Sequence, residues 1–329
     1  MNHLVLLFAL IALISVLLSK CYIKIAGRVG ALDIPNQRSL HQVEIPRGAG
    51  LVIVSLTVTG WAVLEYLGIV NYIWFRSFML IAFGIGFLGY VDDIYQISFA
   101  VKGAVQLVLS LCALYFLRDE IESLILYFSL LFWCLSIVNF YNFMDGIDGM
   151  AAIYGLILSL CWVIVGLQVK EPLFYYSGIL IGASCIGVLH FNWSPASVFL
   201  GDVGSLFLGF IFSYFGVILA LRHPEMASMS ILILWAFIFD CTYTLIKRFL
   251  SGEKIWQAHR EHLYQRLVCA GYSHSFVSTL YGMISIVGFG AWYMHDYLLI
   301  PIAFVIGSAV SMLLLVRLAE SDSEHVLSS

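Results

Sequence analysis

The stretch Phe199-Leu-Gly-Asp-Val-Gly-Ser-Leu-Phe-Leu-Gly-Phe-Ile-Phe-Ser-Tyr-Phe-Gly-Val-Ile-Leu-Ala-Leu221 decides the fold. Past Gly204 it is an unbroken apolar run close to the roughly 20 residues that span a bilayer core, and it opens on a glycine-flanked acid, Asp202. Runs of the same kind recur at 3–22, 49–68, 72–90, 100–117, 121–140, 150–167, 173–191, 228–247, 275–293 and 297–316, which with 204–221 makes eleven. They are continuous rather than alternating, so the spans are helices and not barrel strands. A chain that is 62% hydrophobic and 11% charged is no soluble domain, and a mean hydropathy of +0.98 agrees. No connection is long enough to fold separately. Residues 1–329 therefore read as one all-α polytopic membrane bundle of about 11 transmembrane helices.

Loop charges orient the bundle. Loops after odd-numbered spans contain Lys20, Lys24, Arg28, Arg38, Arg47, Lys102, Lys247, Arg248, Lys254, Arg260, Arg266 and Arg317, twelve in all; loops after even-numbered spans contain four, Arg76, Arg118, Lys170 and Arg222. The positive-inside rule then predicts an outside N-terminus and a cytoplasmic C-terminus. No Lys or Arg precedes the first apolar run and no small-residue cleavage site follows it, so 3–22 reads as a span rather than a signal peptide. With a net charge of −4 and no basic block, nucleic acid is not an expected partner. The seven cysteines are scattered without a C-x-x-C and read as small buried hydrophobes.

The same parity puts Asp92, Asp93, Asp145, Asp148 and Asp202 on the cytoplasmic face, where carboxylates at helix ends call for a cation. Asn139-Phe-Tyr-Asn142-Phe-Met-Asp145-Gly-Ile-Asp148-Gly149 holds two Asp-Gly pairs three residues apart, a tight turn whose backbone can approach a ligand; a plain helix-ending turn is the bland alternative. Asp92 and Asp93 repel each other and face the negative end of their helix dipole, which a metal or nearby cations would offset. Asp202 and Ser205 stand where a helix N-terminus offers an anion site or a cap. His259-Arg260-Glu261-His262 puts two histidines on one predicted helical face; neither a thiolate nor H-E-x-x-H accompanies them, so phosphate contacts fit better than zinc. Lys102 and Gln106, one turn apart, either snorkel or reach the acids. Gly84-Ile-Gly86-Phe-Leu-Gly89 lies inside a span, and reads as helix packing rather than a dinucleotide loop. Asp240 is an intramembrane acid and hence a functional suspect, with a nearby Arg or Lys as an equally good explanation.

Together these residues resemble the polyprenyl-phosphate N-acetylhexosamine-1-phosphate transferases, over nearly the whole chain and in order from residue 33 to 266. The resemblance implies Mg²⁺, with Mn²⁺ able to substitute, on Asp202 and Asn142. It places Asp92 and Asp93 beside a diphosphate, and Asp145, Asp148 and Phe199 at the uridine end. It also covers Asn36, Arg38 and His41 in a P-N-x-R-S-x-H stretch, and Arg47 in P-R-G. Many relatives have an acid at position 259 and histidines at 264 and 265, where this chain has His259, Tyr264 and Gln265. That form looks like the subgroup that starts O-antigen or capsule synthesis on N-acetylfucosamine, N-acetylquinovosamine or N-acetylglucosamine.

The implied partners are undecaprenyl phosphate, a UDP-N-acetylhexosamine and the bilayer, in a bacterial inner membrane with the site facing the cytoplasm. A homodimer is allowed, although no interface is legible. Arg38, Arg47, Lys102, Arg260, His259 and His262 are the candidates to meet developing phosphate charge. A phosphate with a second pKa near 6 needs little general-base help, so Asp92 and Asp93 are expected to position rather than deprotonate. A transporter of ions or nucleotide sugars is the competing class, but its acids belong near the bilayer midplane. A lipid pyrophosphatase, with water as acceptor, is another.

Overall fold

The computed structural model describes residues 2–33, 44–254, 259–294 and 298–328. Its helices are α1 (Asn2–Ala26), α2 (Gly50–Tyr66), α3 (Phe75–Tyr95), α4 (Phe99–Tyr115), α5 (Leu124–Phe143), α6 (Met150–Gln168), α7 (Pro172–Asn192), α8 (Asp202–Arg222), α9 (Ser228–Ile233), α10 (Trp235–Leu250), α11 (Leu263–Cys269), α12 (His274–Tyr293) and α13 (Leu299–Ser328). Two short strands, β1 (Leu32–Asp33) and β2 (Ile45–Pro46), pair antiparallel.

Eight of these helices are long and apolar enough to cross a membrane, and α9 with α10 makes a ninth candidate bent by 66°. The chain is thus an all-α polytopic membrane protein apart from the strand pair, with eight or nine helices of full spanning length where about eleven spans were expected. Helices α2 and α4 cover two expected spans and stop at 17 residues. The expected continuous span 228–247 is broken at Leu234.

Helix α8 is the axis. Its spanning window is 94% buried, against 17% for α1 and 11% for the last span, which lie at the rim. Small residues let neighbours close on it, as lipid-buried interfaces require. A Cβ added at Gly50 would collide with the Gly204 backbone, one at Gly89 with the Asp202 backbone, and one at Gly209 would meet Val138 Cα at 2.9 Å. Gly86 faces Val54 and Phe207, so the G-x-G-x-x-G run packs helices.

The two ends of the bundle differ. At one, Tyr72 donates to Glu171, and Arg222 grips Glu120 at 2.8 and 2.9 Å with its guanidinium 5.2 Å from the Tyr72 ring centre. This latch joins three connections to the last turn of α8. The other end collects the five aspartates.

Candidate active site

The floor of that end is built where α3 meets the start of α8. Residues Arg47 to Ala49 run alongside Phe199 and Leu200. The Phe199 amide donates to Pro46 O at 2.7 Å, and the Gly48 and Ala49 amides donate to Phe199 O at 3.1 and 3.0 Å. The approach is tight enough to need glycine: at Gly201, with φ +78°, a Cβ would stand 2.5 Å from Asp93 Oδ2 and 2.8 Å from Gly48 N.

Neither Asp202 nor Ser205 caps α8. The cap comes from α3: Asp93 Oδ1 accepts the Asp202 amide at 2.9 Å and Oδ2 accepts the Val203 amide at 3.1 Å. Arg47 Nε adds a third donor to Asp93 at 2.9 Å, while Tyr22 holds the Arg47 carbonyl at 2.6 Å. Asp93 is therefore spent on positioning the loop that carries Asp202. Arg47 in turn bonds Asp93 through both Nε and a terminal guanidinium nitrogen.

Asp92 faces the other way. Lys102 Nζ bridges Asp92 Oδ2 at 2.7 Å and Asp202 Oδ2 at 2.8 Å. The repulsion expected of the Asp-Asp pair is met by two separate cations, Arg47 for one acid and Lys102 for the other. Gln106, a turn beyond Lys102, does not reach the acids; it accepts from Asn139 at 3.0 Å.

Asn142 Nδ2 donates to Ser205 Oγ at 2.9 Å, one turn into α8 from Asp202. Its amide nitrogen is thus committed, and its oxygen takes no bond among the described residues. The Asp145 carboxylate likewise has no hydrogen-bond or ion-pair partner among them. Its burial, then the negative charges of Asp202 and Asp93, hold its carboxyl well above the usual range. Among the described residues no three His, Cys, Asp or Glu side chains are grouped as a metal site. The donor set nonetheless suits Mg²⁺, which takes one or two protein oxygens and completes its shell with phosphate and water: two carboxylates already converge on a cation, and the Asn142 amide is anchored one turn along α8 from Asp202.

Asp148 is held between two other parts of the chain. It meets His274 Nδ1 at 3.3 Å and accepts the Ala196 amide at 3.1 Å. Burial alone would raise its pKa, but these partners and Ser194 bring it below the ordinary value. Nothing in the sequence marked His274 as its partner, since 126 residues separate them.

The segment 259–262 is not helical. The histidines share no helix face; His262 is the N-cap of α11. Their rings still lie 4.9 Å apart, and burial, with His262 and Arg248 nearby, pushes His259 down to about 4. Tyr264 donates to Phe143 O at 3.0 Å and so ties α11 to the Asp145 turn. Among the described residues Asp240 has no Arg or Lys partner: it accepts from the Leu263 and Tyr264 amides at 2.9 and 3.1 Å and from Tyr281 at 2.6 Å. Asn36, Arg38 and His41 lie outside the described residues.

Residues 75–220 match the family glycosyl transferase family 4. Over 295 residues, 85% of this chain and 81% of the relative, the sequence is 32% identical to the probable undecaprenyl-phosphate N-acetylglucosaminyl 1-phosphate transferase of Bacillus subtilis (strain 168). The chain belongs to glycosyl transferase family 4. It is a sugar-phosphate transferase of the polyprenyl-phosphate N-acetylhexosamine-1-phosphate type. The family match runs from α3 to α8 and so spans the Asp93–Asp202 contact. More distant family 4 relatives include the decaprenyl-phosphate N-acetylglucosaminephosphotransferase of Mycobacterium tuberculosis (strain CDC 1551 / Oshkosh), 26% identical over 81% of this chain and 76% of its own. Another is the undecaprenyl-phosphate alpha-N-acetylglucosaminyl 1-phosphate transferase of Escherichia coli (strain K12), 23% identical over 83% and 79%.

Proposed function

We propose that this transferase moves an N-acetylhexosamine 1-phosphate from its UDP donor to undecaprenyl phosphate, as the first membrane step of an O-antigen or related envelope polysaccharide. An oxygen of the lipid phosphate attacks the sugar-bearing phosphorus, the bond to the bridging oxygen breaks, and UMP leaves with that oxygen. The acceptor, and N-acetylglucosaminyl 1-phosphate as the group moved, are those in the names of the Bacillus and Escherichia relatives. The observation that carries the reading is the convergence of Asp92, Lys102 and Asp202 at the first turn of α8, beside the Asn142 oxygen.

Asp202 and Asn142 would hold Mg²⁺, whose charge, when bound, offsets that of the diphosphate. Asp92 supports Lys102, and Lys102 keeps a positive charge at the point where two anions must meet. Asp93 and Arg47 fix the Asp202 loop. His259, Arg260 and His262 line the approach from the α10–α11 connection. Asp145, adjoining the Asp202 group, and Asp148, beside the Phe199 loop, shape the nucleotide end. The excess of Lys and Arg in the loops at this end supports a cytoplasmic site in the inner membrane.

The test is one assay. Purified protein with Mg²⁺ and undecaprenyl phosphate is offered a panel of UDP-N-acetylhexosamines, and lipid products are weighed by mass spectrometry. A lipid diphosphate sugar together with UMP is expected. UMP release without the lipid would make it a hydrolase, and vesicle uptake of intact donor without chemistry would make it a transporter.

A further inference from the structure

One buried acid with several hydrogen-bond donors around it takes no part in the mechanism above. Asp240 lies on α10, six residues past the break at Leu234, and is fully buried. Its Oδ2 accepts from the Tyr264 amide at 3.1 Å and the Tyr281 hydroxyl at 2.6 Å. Its Oδ1 accepts from the Leu263 amide at 2.9 Å and Thr244 Oγ1 at 3.3 Å, and lies 3.0 Å from His262 Nδ1. A carboxylate has about four lone-pair sites, and four donors other than His262 already aim at this one. Two of them are backbone amides, which can only donate. Asp240 is therefore an acceptor throughout.

That fixes the histidine. The His262 side chain also stands against the backbone amide of Gln265, with which it completes a capping box at the start of α11. If Nδ1 were the bare nitrogen, it could accept that amide but would turn its lone pair on a carboxylate oxygen 3.0 Å away. A charge-assisted bond to carboxylate is roughly twice as strong as a neutral one, so the carboxylate decides. The proton sits on Nδ1, and Nε2 carries the lone pair or a second proton. The ring is then clamped: Tyr264 stacks on it at 5.8 Å, Phe143 at 6.2 Å closes another side, and His259 stands 4.9 Å away.

We infer that Asp240 is a positioning residue for the transfer reaction, fixing the Nδ1–H tautomer of His262 and the start of α11, so that Nε2 is the atom presented to a phosphate oxygen of the substrates. The inference rests on the proposed phosphate transfer and adds what the motif alone did not contain: which nitrogen works, and which buried acid aims it. The arrangement follows the general rule that an imidazole is oriented by what its other nitrogen bonds.

Two measurements test it. The first needs no activity: ¹⁵N spectra of histidine-labelled protein, with the His262 signal assigned by its loss in His262→Gln, should show Nδ1 protonated. An Nε2–H tautomer with bare Nδ1 overturns the inference, whatever the reaction proves to be. The second is a double-mutant cycle on kcat for UMP release. Asp240→Asn is expected to lower kcat by about 10- to 100-fold, the usual loss when a group orienting a histidine is removed, with little change in KM for the donor. In a His262→Ala background the same substitution should cost less than about threefold, since residues acting as one unit are not additive. Equal losses in both backgrounds would reduce Asp240 to scaffolding. Because Asn leaves one donor without an acceptor, Tyr281→Phe serves as the milder variant: it deletes one donor, leaves the imidazole contact intact, and should keep both the Nδ1–H signal and near-normal kcat. A wild-type protein that forms no lipid product refutes the proposed reaction but leaves the tautomer result standing.

Discussion

Asp93 holds the backbone amide of Asp202 at 2.9 Å across 109 residues of sequence. One acid thereby sets the place of another, and the adjacent pair on α3 divides its labour: Asp93 faces protein, Asp92 faces Lys102. Asp93→Ala would strand Arg47 and two amides of α8. Removing one partner of a buried ion pair costs about 3–5 kcal/mol, so thermal unfolding of the detergent-purified protein should show a large loss. Asp92→Asn should unfold close to wild type while UMP release falls steeply. Equal melting of the two variants would contradict the division.

Lys102→Met leaves Asp92 and Asp202 without their shared cation. Activity should fall by about 10- to 1,000-fold, the range for losing a group that stabilises transition-state charge. Mg²⁺ should raise the melting temperature of the variant more than that of wild type, because two unneutralised carboxylates attract a divalent ion. A variant whose melting ignores Mg²⁺ would speak against the metal assignment.

Asp145 is charged with difficulty in the folded state. A carboxyl with a raised folded pKa binds more protons when folded than when unfolded, so stability falls as pH rises above the unfolded value near 3.9. Asp145→Asn removes that burden. Its melting temperature should exceed wild type at pH 7 and converge with it near pH 4, while turnover drops. A difference independent of pH would mean that charge is not the cause.

The Asp145 turn and α11 meet at Gly146, where an added Cβ would collide with the Tyr264 hydroxyl. Gly146→Ala should therefore impair activity, and adding Tyr264→Phe should restore part of it, although Tyr264→Phe alone loses the bond to Phe143 O. Purely additive effects of the two substitutions on kcat would argue that the contact is incidental.

At the opposite end, Arg222→Met breaks the latch to Glu120. Both side chains are partly exposed, so the loss should be about 1 kcal/mol or less, with kcat unchanged. An effect on kcat would reveal coupling between the two ends.

Much of this was legible because the site uses local, polar signals. The glycines around Asp202 and Asp148 announce close backbone approach, and Gly201 and Gly149 adopt φ of +78° and +75°. Loop charge gathered the acids on one side before any contact was known. Three things were hidden. Asp240 carries no mark of its partners, because two are backbone amides and Tyr281 lies 41 residues on. The break at Leu234 falls within Ile231-Leu-Ile-Leu-Trp235, with neither Pro nor Gly to signal it. The histidines of 259–262 have helical spacing, yet α11 begins only at Leu263, where Asp240 takes up its first amides.

The span between Asp93 and Asp202 also has a meaning in time. Synthesis proceeds at about 5–20 residues per second, so the 109 residues between them take roughly 5–20 seconds. For that interval the two acids of α3 are in the translocation machinery or at the bilayer without the loop they serve. Arg47 has by then emerged 46 residues earlier, and Lys102 follows Asp92 by only 10. The early half of the candidate site is born electrically balanced, each acid followed or preceded by its own cation, and it is α8, arriving late, that joins the two couples into one floor.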